Sequence, residues 1–320
     1  MKALTFKVPD SGKGNPEVRE IEFADPVPRD GEVLVRVHFA GLNYFDFERM
    51  QGKLNRGTAK ALKRTPVISG IEMSGVAESD GERIKKGDKI VGYTNIFQGP
   101  FFHAEYVALP EKKLTRIPES QSLEGAASLV GGALTSINAL ERIASLQEGQ
   151  KVLITAATGS VGVTAVQLAS HLGAEVSGTC NSRQIDFARE HGATHVFAYD
   201  REEWPESENQ FDAVFDTAPS LGFRAASKFL KPTGTYITTM PHLDVGGFAR
   251  SLFSRRKWGY LMESDTDAKR MSRFRDLMEQ GAFGAVIDSI YPLSAAVDAF
   301  ERQQGKAKGG KILIDFRSGH

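Results

Sequence analysis

Apolar and polar positions change their spacing near residue 120. Before that point, short stretches alternate with period two. In "GEVLVRVHFA", Val33, Val35 and Val37 alternate with Leu34, Arg36 and His38, which predicts a strand with at least one buried face. "MKALTFKVPD" reads as a first strand. "TPVISGIEMSGVAES" and "IKKGDKIVGYT" repeat the pattern with glycine punctuation, and "FHAEYVALP" is closed by Pro110. Many short strands at this spacing predict a small β-barrel or sandwich.

Beyond residue 120, "SLEGAASLVGGALTSINALERIASL" is helical in period and rich in small residues. Strands predicted over 151–157, 174–180, 195–199, 211–218 and 234–240 then alternate with helices, and a sixth over 257–262 completes the set. That alternation is the pattern of a doubly wound parallel sheet. After 263 come a helix "DAKRMSRFRDLMEQG" ended by Gly281, a second at "LSAAVDAFERQQ" and a last strand "KILIDF".

With 320 residues the chain has room for two domains. Its 40 basic and 40 acidic side chains cancel, and no long block of one sign occurs. Nucleic acid and an anionic membrane are therefore not expected as main partners, and Arg255-Arg256-Lys257 reads as a solvated turn. The single cysteine, Cys180, excludes an intrachain disulfide and any multi-cysteine metal site, and it fits a reducing compartment. No apolar run approaches the roughly 20 residues that span a bilayer, and the start lacks a signal-peptide core. The expectation is a soluble, cytoplasmic protein.

The candidate chemistry centres on 154–183, "ITAATGSVGVTAVQLASHLGAEVSGTCNSR". A buried strand leads into the turn Ala157-Thr158-Gly159-Ser160-Val161-Gly162. Val161, Ala165, Leu168 and Leu172 follow at helical spacing, and Gly173 stands at the C-terminal cap. Backbone N–H groups at such a helix start face an anion, and glycine lets a pyrophosphate approach the chain. Gly159 and Gly162 supply two of the three fingerprint glycines, with Ala157 in the first place. The position after the second strand, where an NAD site carries an acid, reads Thr179-Cys180-Asn181-Ser182-Arg183. A hydroxyl, an amide and a guanidinium there suit a 2′-phosphate, so NADPH is the expected cofactor.

The order and spacing of "AGLNYFDFERMQG", "PVISGIEMSGV", "GGALTSINAL", "AATGSVG", "GTYITTM" and "GKAKGGKILIDF" resemble the zinc-free quinone oxidoreductase branch of the medium-chain dehydrogenase/reductase superfamily. The resemblance covers nearly the whole chain. It implies an α/β protein with a GroES-like β-barrel domain over 1–119, a Rossmann doubly wound parallel sheet domain over 120–262 and a C-terminal segment, 263–320, that completes the first. It further implies that Gly159, Ser160, Val161 and Gly162 hold the pyrophosphate, and Asn181, Ser182 and Arg183 the 2′-phosphate. Tyr199 would pack near the adenosine phosphate, although a strand end also places an aromatic at the surface. Thr135 would lie beside the nicotinamide ribose, unless its hydroxyl bonds its own helix. Thr239 and Met240 would border the nicotinamide. Lys311 matches a lysine of the terminal "GK" segment and reads equally as a solvated charge.

In the implied cleft, Asn43 orients the nicotinamide carboxamide or an acceptor oxygen, and Tyr44 is a candidate proton donor or a packing tyrosine. Asp46 reads as structural. Phe97, Phe101 and Phe102 form an apolar wall or simply core. The zinc-ligand places of the related alcohol dehydrogenases fall on Asn43, Ile71 and Gly131, none of them a zinc ligand, so no metal is expected. Without a Lewis acid the acceptor is expected to be electron-poor, a quinone or an α,β-unsaturated carbonyl. A tyrosine common in the branch is replaced around Gly52 by Lys53 and Leu54. Two alternatives stay open: an enoyl-CoA or acrylyl-CoA type of thioester reductase, with Lys53, Arg56, Lys60, Lys63 and Arg64 as a basic rim, and a non-catalytic NADPH-binding protein. The resemblance also implies a homodimer through the sheet edge near 257–262.

Overall fold

The computed structural model describes residues 1–7, 17–46, 68–94, 101–218, 220–261, 267–305 and 308–317. The five predicted strands of the first third are found, as β1 (Lys2–Lys7), β3 (Glu32–Gly41), β4 (Glu72–Ala77), β5 (Lys89–Tyr93) and β6 (Tyr106–Pro110), and two more that were not predicted join them, β2 (Glu17–Glu22) and β7 (Leu114–Arg116). Val33, Val35 and Val37 are buried in β3 as their alternation requires. Helix α1 (Leu123–Ile137) follows, continued by a wider π-helical turn over Asn138–Ile143.

Strands β8 (Lys151–Ile154), β9 (Glu175–Cys180), β10 (His195–Ala198), β11 (Phe211–Asp216), β12 (Leu230–Thr238) and β13 (Lys257–Tyr260) form one parallel sheet. Its order, β10-β9-β8-β11-β12-β13, is that of a Rossmann sheet. Helices α2 (Ser160–His171), α3 (Ile185–Glu190), α4 (Gly222–Phe229) and α5 (Val245–Ser251) connect its strands. The chain ends with α6 (Ala268–Glu279), β14 (Ile287–Pro292), α7 (Ala296–Gln304) and β15 (Lys311–Asp315). The last two strands join the first sheet, in the order β14-β15-β3-β4-β5-β7 with β6 on β3. Among the described residues no helix is long and apolar enough to cross a membrane.

Every residue of α1 from Gly125 to Ile137 is buried, because the helix lies between the two sheets rather than on a surface. Its small residues have a steric reason. A Cβ on Gly132 would lie 2.5 Å from the Ser160 carbonyl oxygen of α2. One on Gly131 would run into the Glu72 carboxylate of β4. This helix therefore sets the spacing between the strand-rich sheet and the nucleotide-type sheet.

One partly buried histidine is expected to give the fold a pH dependence. Both ring nitrogens of His38 in β3 are buried without a hydrogen-bond partner among the described residues. Burial first, then Arg36 and Arg317, push its pKa below the ordinary 6.5, against Asp315 and Glu78. The unfolded chain thus binds the proton more readily, so stability is full above about pH 6.5 and falls as the pH drops toward the depressed folded value. Thermal melts between about pH 7.5 and 5.5 are expected to fall further for wild type than for His38→Gln, by up to about 1 kcal/mol in stability.

Candidate active site

The turn after β8 is built by steric constraint. Ala156 takes a left-handed φ of 45°, uncommon for a residue with a side chain. Its N–H meets Thr179 Oγ1 at 3.3 Å, and the Ala157 N–H donates to the Thr179 carbonyl at 2.9 Å. Gly162 sits so close that a Cβ there would lie 2.1 Å from the Ala156 carbonyl oxygen. Gly159 is the N-cap of α2 and supplies no side-chain cap, so Ser160, Val161 and Gly162 open the helix without one. Among the described residues a Cβ on Gly159 would meet only the Ala156 oxygen, at 3.4 Å, which leaves room over the turn. A pyrophosphate fits that space and that uncapped helix start.

At the end of β9 the three residues read for a 2′-phosphate are together but differently engaged. Asn181 Oδ1 accepts from the Arg183 N–H at 3.1 Å. Ser182 gives both its hydroxyl and its N–H to Asp200, and the Arg183 side chain is exposed. Tyr199, 47% exposed, opens the short turn after β10 that carries Asp200. Cys180 closes β9 as a buried thiol, pushed up to about 11 by that burial. It is protonated at neutral pH and no nucleophile.

Asp216 at the end of β11 is fully buried and collects donors from three segments. It accepts from the Thr155 hydroxyl at 2.7 Å, the Tyr236 hydroxyl at 3.1 Å and the Leu221 N–H at 3.1 Å. Thr239 and Met240 follow β12, the first donating to the Thr217 carbonyl at 3.1 Å and the second 7% exposed. The Thr135 hydroxyl donates to the Gly131 carbonyl at 2.7 Å, the back-bonding arrangement named above as its alternative.

The fourth cluster lies where β4, β15 and the end of β3 meet α1. Lys311 is 1% exposed, which corrects its reading as a solvated charge. Its ammonium donates to Glu72 Oε1 and, at 2.9 Å, to Asn43 Oδ1. Asn43 Nδ2 donates to Glu72 Oε1 at 2.7 Å, and the Gly131 N–H donates to Oε2 at 2.8 Å. Both ends of the Asn43 amide are thereby held. Asp46 accepts the N–H groups of Asn43 and Gly70 at 2.8 Å each, a structural role. Tyr44 is 51% exposed beside this cluster. Phe102 is core, and Phe101 packs on the inter-sheet core. Phe97, Gly52, Lys53, Leu54, Arg56, Lys60, Lys63 and Arg64 lie outside the described residues.

Residues 29–119 match the alcohol dehydrogenase GroES-like domain, and residues 191–314 match a zinc-binding dehydrogenase domain. A quinone-oxidoreductase homologue of spinach chloroplasts is 30% identical over 95% of either chain. The chain belongs to the quinone oxidoreductase branch of the medium-chain dehydrogenase/reductase superfamily. A chloroplast envelope quinone oxidoreductase homologue of Arabidopsis thaliana is 27% identical over 98% of each chain. The structure of the quinone oxidoreductase from Coxiella burnetii superposes with a TM-score of 0.83, at 26% identity and 99% coverage of both chains. The GroES-like and Rossmann expectations are thus met, and this is an oxidoreductase of a fold that binds a nicotinamide cofactor.

For this oxidoreductase the name of the zinc-binding domain raises a question of fit. Asn43, Ile71 and Gly131 offer an amide, an aliphatic chain and no side chain, and the Lys311 ammonium bonds among them. That donor set does not suit zinc, which takes thiolate, imidazole or carboxylate. Among the described residues no three His, Cys, Asp or Glu side chains cluster as a metal site. Sequence reasoning missed Glu72, although an acid inside the apolar run "ISGIEMSGV" has to find a partner when buried. It also missed Asp200 and Asp216, which carry no local signal.

Proposed function

We propose that this oxidoreductase uses NADPH to reduce a quinone or an activated alkene without zinc. The observation that carries the reading is the Glu72–Lys311–Asn43 cluster at the metal place. It presents hydrogen bonds already satisfied by one another rather than an open Lewis acid, so the acceptor has to be electron-poor before it binds. A bound nicotinamide supplies the hydride. The chain's own residues bind and orient. Gly159, Ser160, Val161 and Gly162 frame the pyrophosphate, and Arg183 with Asn181 and Ser182 faces the adenosine ribose beside Tyr199. Thr135, Thr239, Met240 and the clamped Asn43 border the nicotinamide. Tyr44, half exposed beside Asn43, is the proton donor of this reading, giving a proton to the developing oxyanion. Self-association through the outer edge of β13 belongs to the same proposal, since that edge pairs with no strand among the described residues.

The test is nicotinamide oxidation followed by absorbance, with NADPH and NADH in parallel, against an ortho-quinone, a para-quinone, an enone and an enoyl-CoA. Turnover of quinone or enone is the expected result. Turnover of the thioester alone would replace the acceptor class. Cofactor binding with no turnover of any acceptor would make the protein a binding protein.

A further inference from the structure

The short turn after β10 places an acid against the residue that reads the adenosine ribose. Asp200 Oδ2 accepts from the Ser182 hydroxyl at 2.7 Å, and Oδ1 accepts from the Ser182 N–H at 2.7 Å. Two donors on one residue, aimed the same way, are thus filled by a carboxylate of the chain itself. The Ser182 hydroxyl, ahead of the opposing burial, draws the Asp200 carboxyl below its ordinary range, so it is ionised at neutral pH. Asn181 spends its side-chain oxygen on the Arg183 N–H. Arg183 keeps an exposed guanidinium with no ion pair among the described residues. Arg201, next to Asp200, also acts on that carboxylate, so the subsite mixes an anion with cations and is not the run of donors and positive charge read from "NSR".

We propose that Asp200 sets the choice between NADPH and NADH in this oxidoreductase. The proposal rests on the nicotinamide reading above and refines it. A 2′-phosphate carries close to two negative charges and needs donors. To use those of Ser182 it has to displace Asp200, and it then lies beside a like charge. The 2′-hydroxyl of NADH carries no charge and donates to the same carboxylate. Arg183 pulls the other way, toward the phosphate. Because the carboxylate is exposed, solvent and salt moderate its effect, and wild type keeps NADPH as the better cofactor by a modest margin while also accepting NADH. An acid at the end of β10 thus takes the part that related nucleotide folds give to an acid at the end of the second strand.

The experiment measures dissociation constants of NADPH and NADH by fluorescence titration at one fixed salt concentration. The proteins are wild type, Asp200→Asn, Asp200→Ser and Arg183→Ala. Asp200→Asn and Asp200→Ser are expected to raise the NADPH-over-NADH ratio about tenfold, the scale of one like-charge contact near a surface. Arg183→Ala is expected to lower it. A purely structural tie between Ser182 and Asp200 would weaken both cofactors in parallel. An unmoved ratio in both Asp200 variants, or a move toward NADH, overturns the role of Asp200 while leaving the nicotinamide reading intact. Wild-type protein that binds neither cofactor overturns that reading and the role of Asp200 with it.

Discussion

Glu72→Ala is expected to lose about 3–5 kcal/mol of unfolding free energy in chemical denaturation, more than any surface ion pair in the molecule. Glu72 is fully buried and Lys311 is 1% exposed, so removing the carboxylate leaves an ammonium with no counter-charge inside the protein. Two further donors lose a partner. The Gly131 N–H loses its bond to Oε2, and Asn43 Nδ2 loses the Oε1 it shares with Lys311. Unsatisfied buried donors cost about 1–3 kcal/mol each when no water reaches them. The cluster also joins β4, β15 and α1, segments far apart in the chain, so its loss loosens the strand-rich sheet from the inter-sheet helix.

The pair need not be stabilising overall for this to hold. Desolvating two charges consumes most of what their attraction returns, and apolar replacements of similar volume are often neutral. The double variant Glu72→Leu with Lys311→Met is therefore expected to be more stable than Glu72→Ala, with the Asn43 amide as its remaining defect. The single variants and the double form a cycle whose strong non-additivity reports the contact. A loss below about 1 kcal/mol for Glu72→Ala would mean that the two side chains are not paired in the folded protein.

Most of the architecture was legible because local periodicity decides it. Val33, Val35 and Val37 declare the buried face of β3, and the apolar runs at β8 and β11 declare strands covered on both faces. Boundaries were less secure where tertiary pairing overrides turn chemistry. The strand predicted over 234–240 starts earlier, since β12 begins at Leu230, opposite Phe211, and carries Pro232 and Gly234 within it. The register then jumps to Ala213 opposite Thr235, so an irregularity in the ladder absorbs the proline and glycine.

The site divides in the same way. The glycine turn was readable because strand, turn and helix are contiguous. The Lys311–Glu72 contact joins residues 239 apart, and no spacing rule connects them. Ser182 was readable as a donor, but Asp200, 18 residues on, comes beside it only through the parallel pairing of β9 with β10. Long-range pairing of charged groups is fixed by the closed fold, not by local pattern.

Gly162→Ala and Gly159→Ala are expected to fail in different ways, although both glycines belong to one fingerprint. At Gly162 the added methyl would lie 2.1 Å from the Ala156 oxygen and 2.8 Å from its carbonyl carbon. Neither is a movable side chain. Ala156 is already held in a left-handed conformation, and the Ala157 N–H is tied to the Thr179 carbonyl. The turn therefore has to move, which costs about 1–3 kcal/mol of stability, and nicotinamide-cofactor affinity falls with it by about tenfold to a hundredfold. At Gly159 the φ of −73° suits any residue, and the new methyl reaches only an ordinary contact at 3.4 Å. Stability changes by less than about 1 kcal/mol there, the scale of a changed helix N-cap. On the proposed binding mode affinity still drops, because the methyl stands in the space assigned there to the pyrophosphate. Denaturation curves and cofactor titrations on the two variants separate a folding defect from a binding defect. Undiminished affinity in a well-folded Gly159→Ala protein would place the pyrophosphate elsewhere, since no phosphate could then be passing over that N-cap.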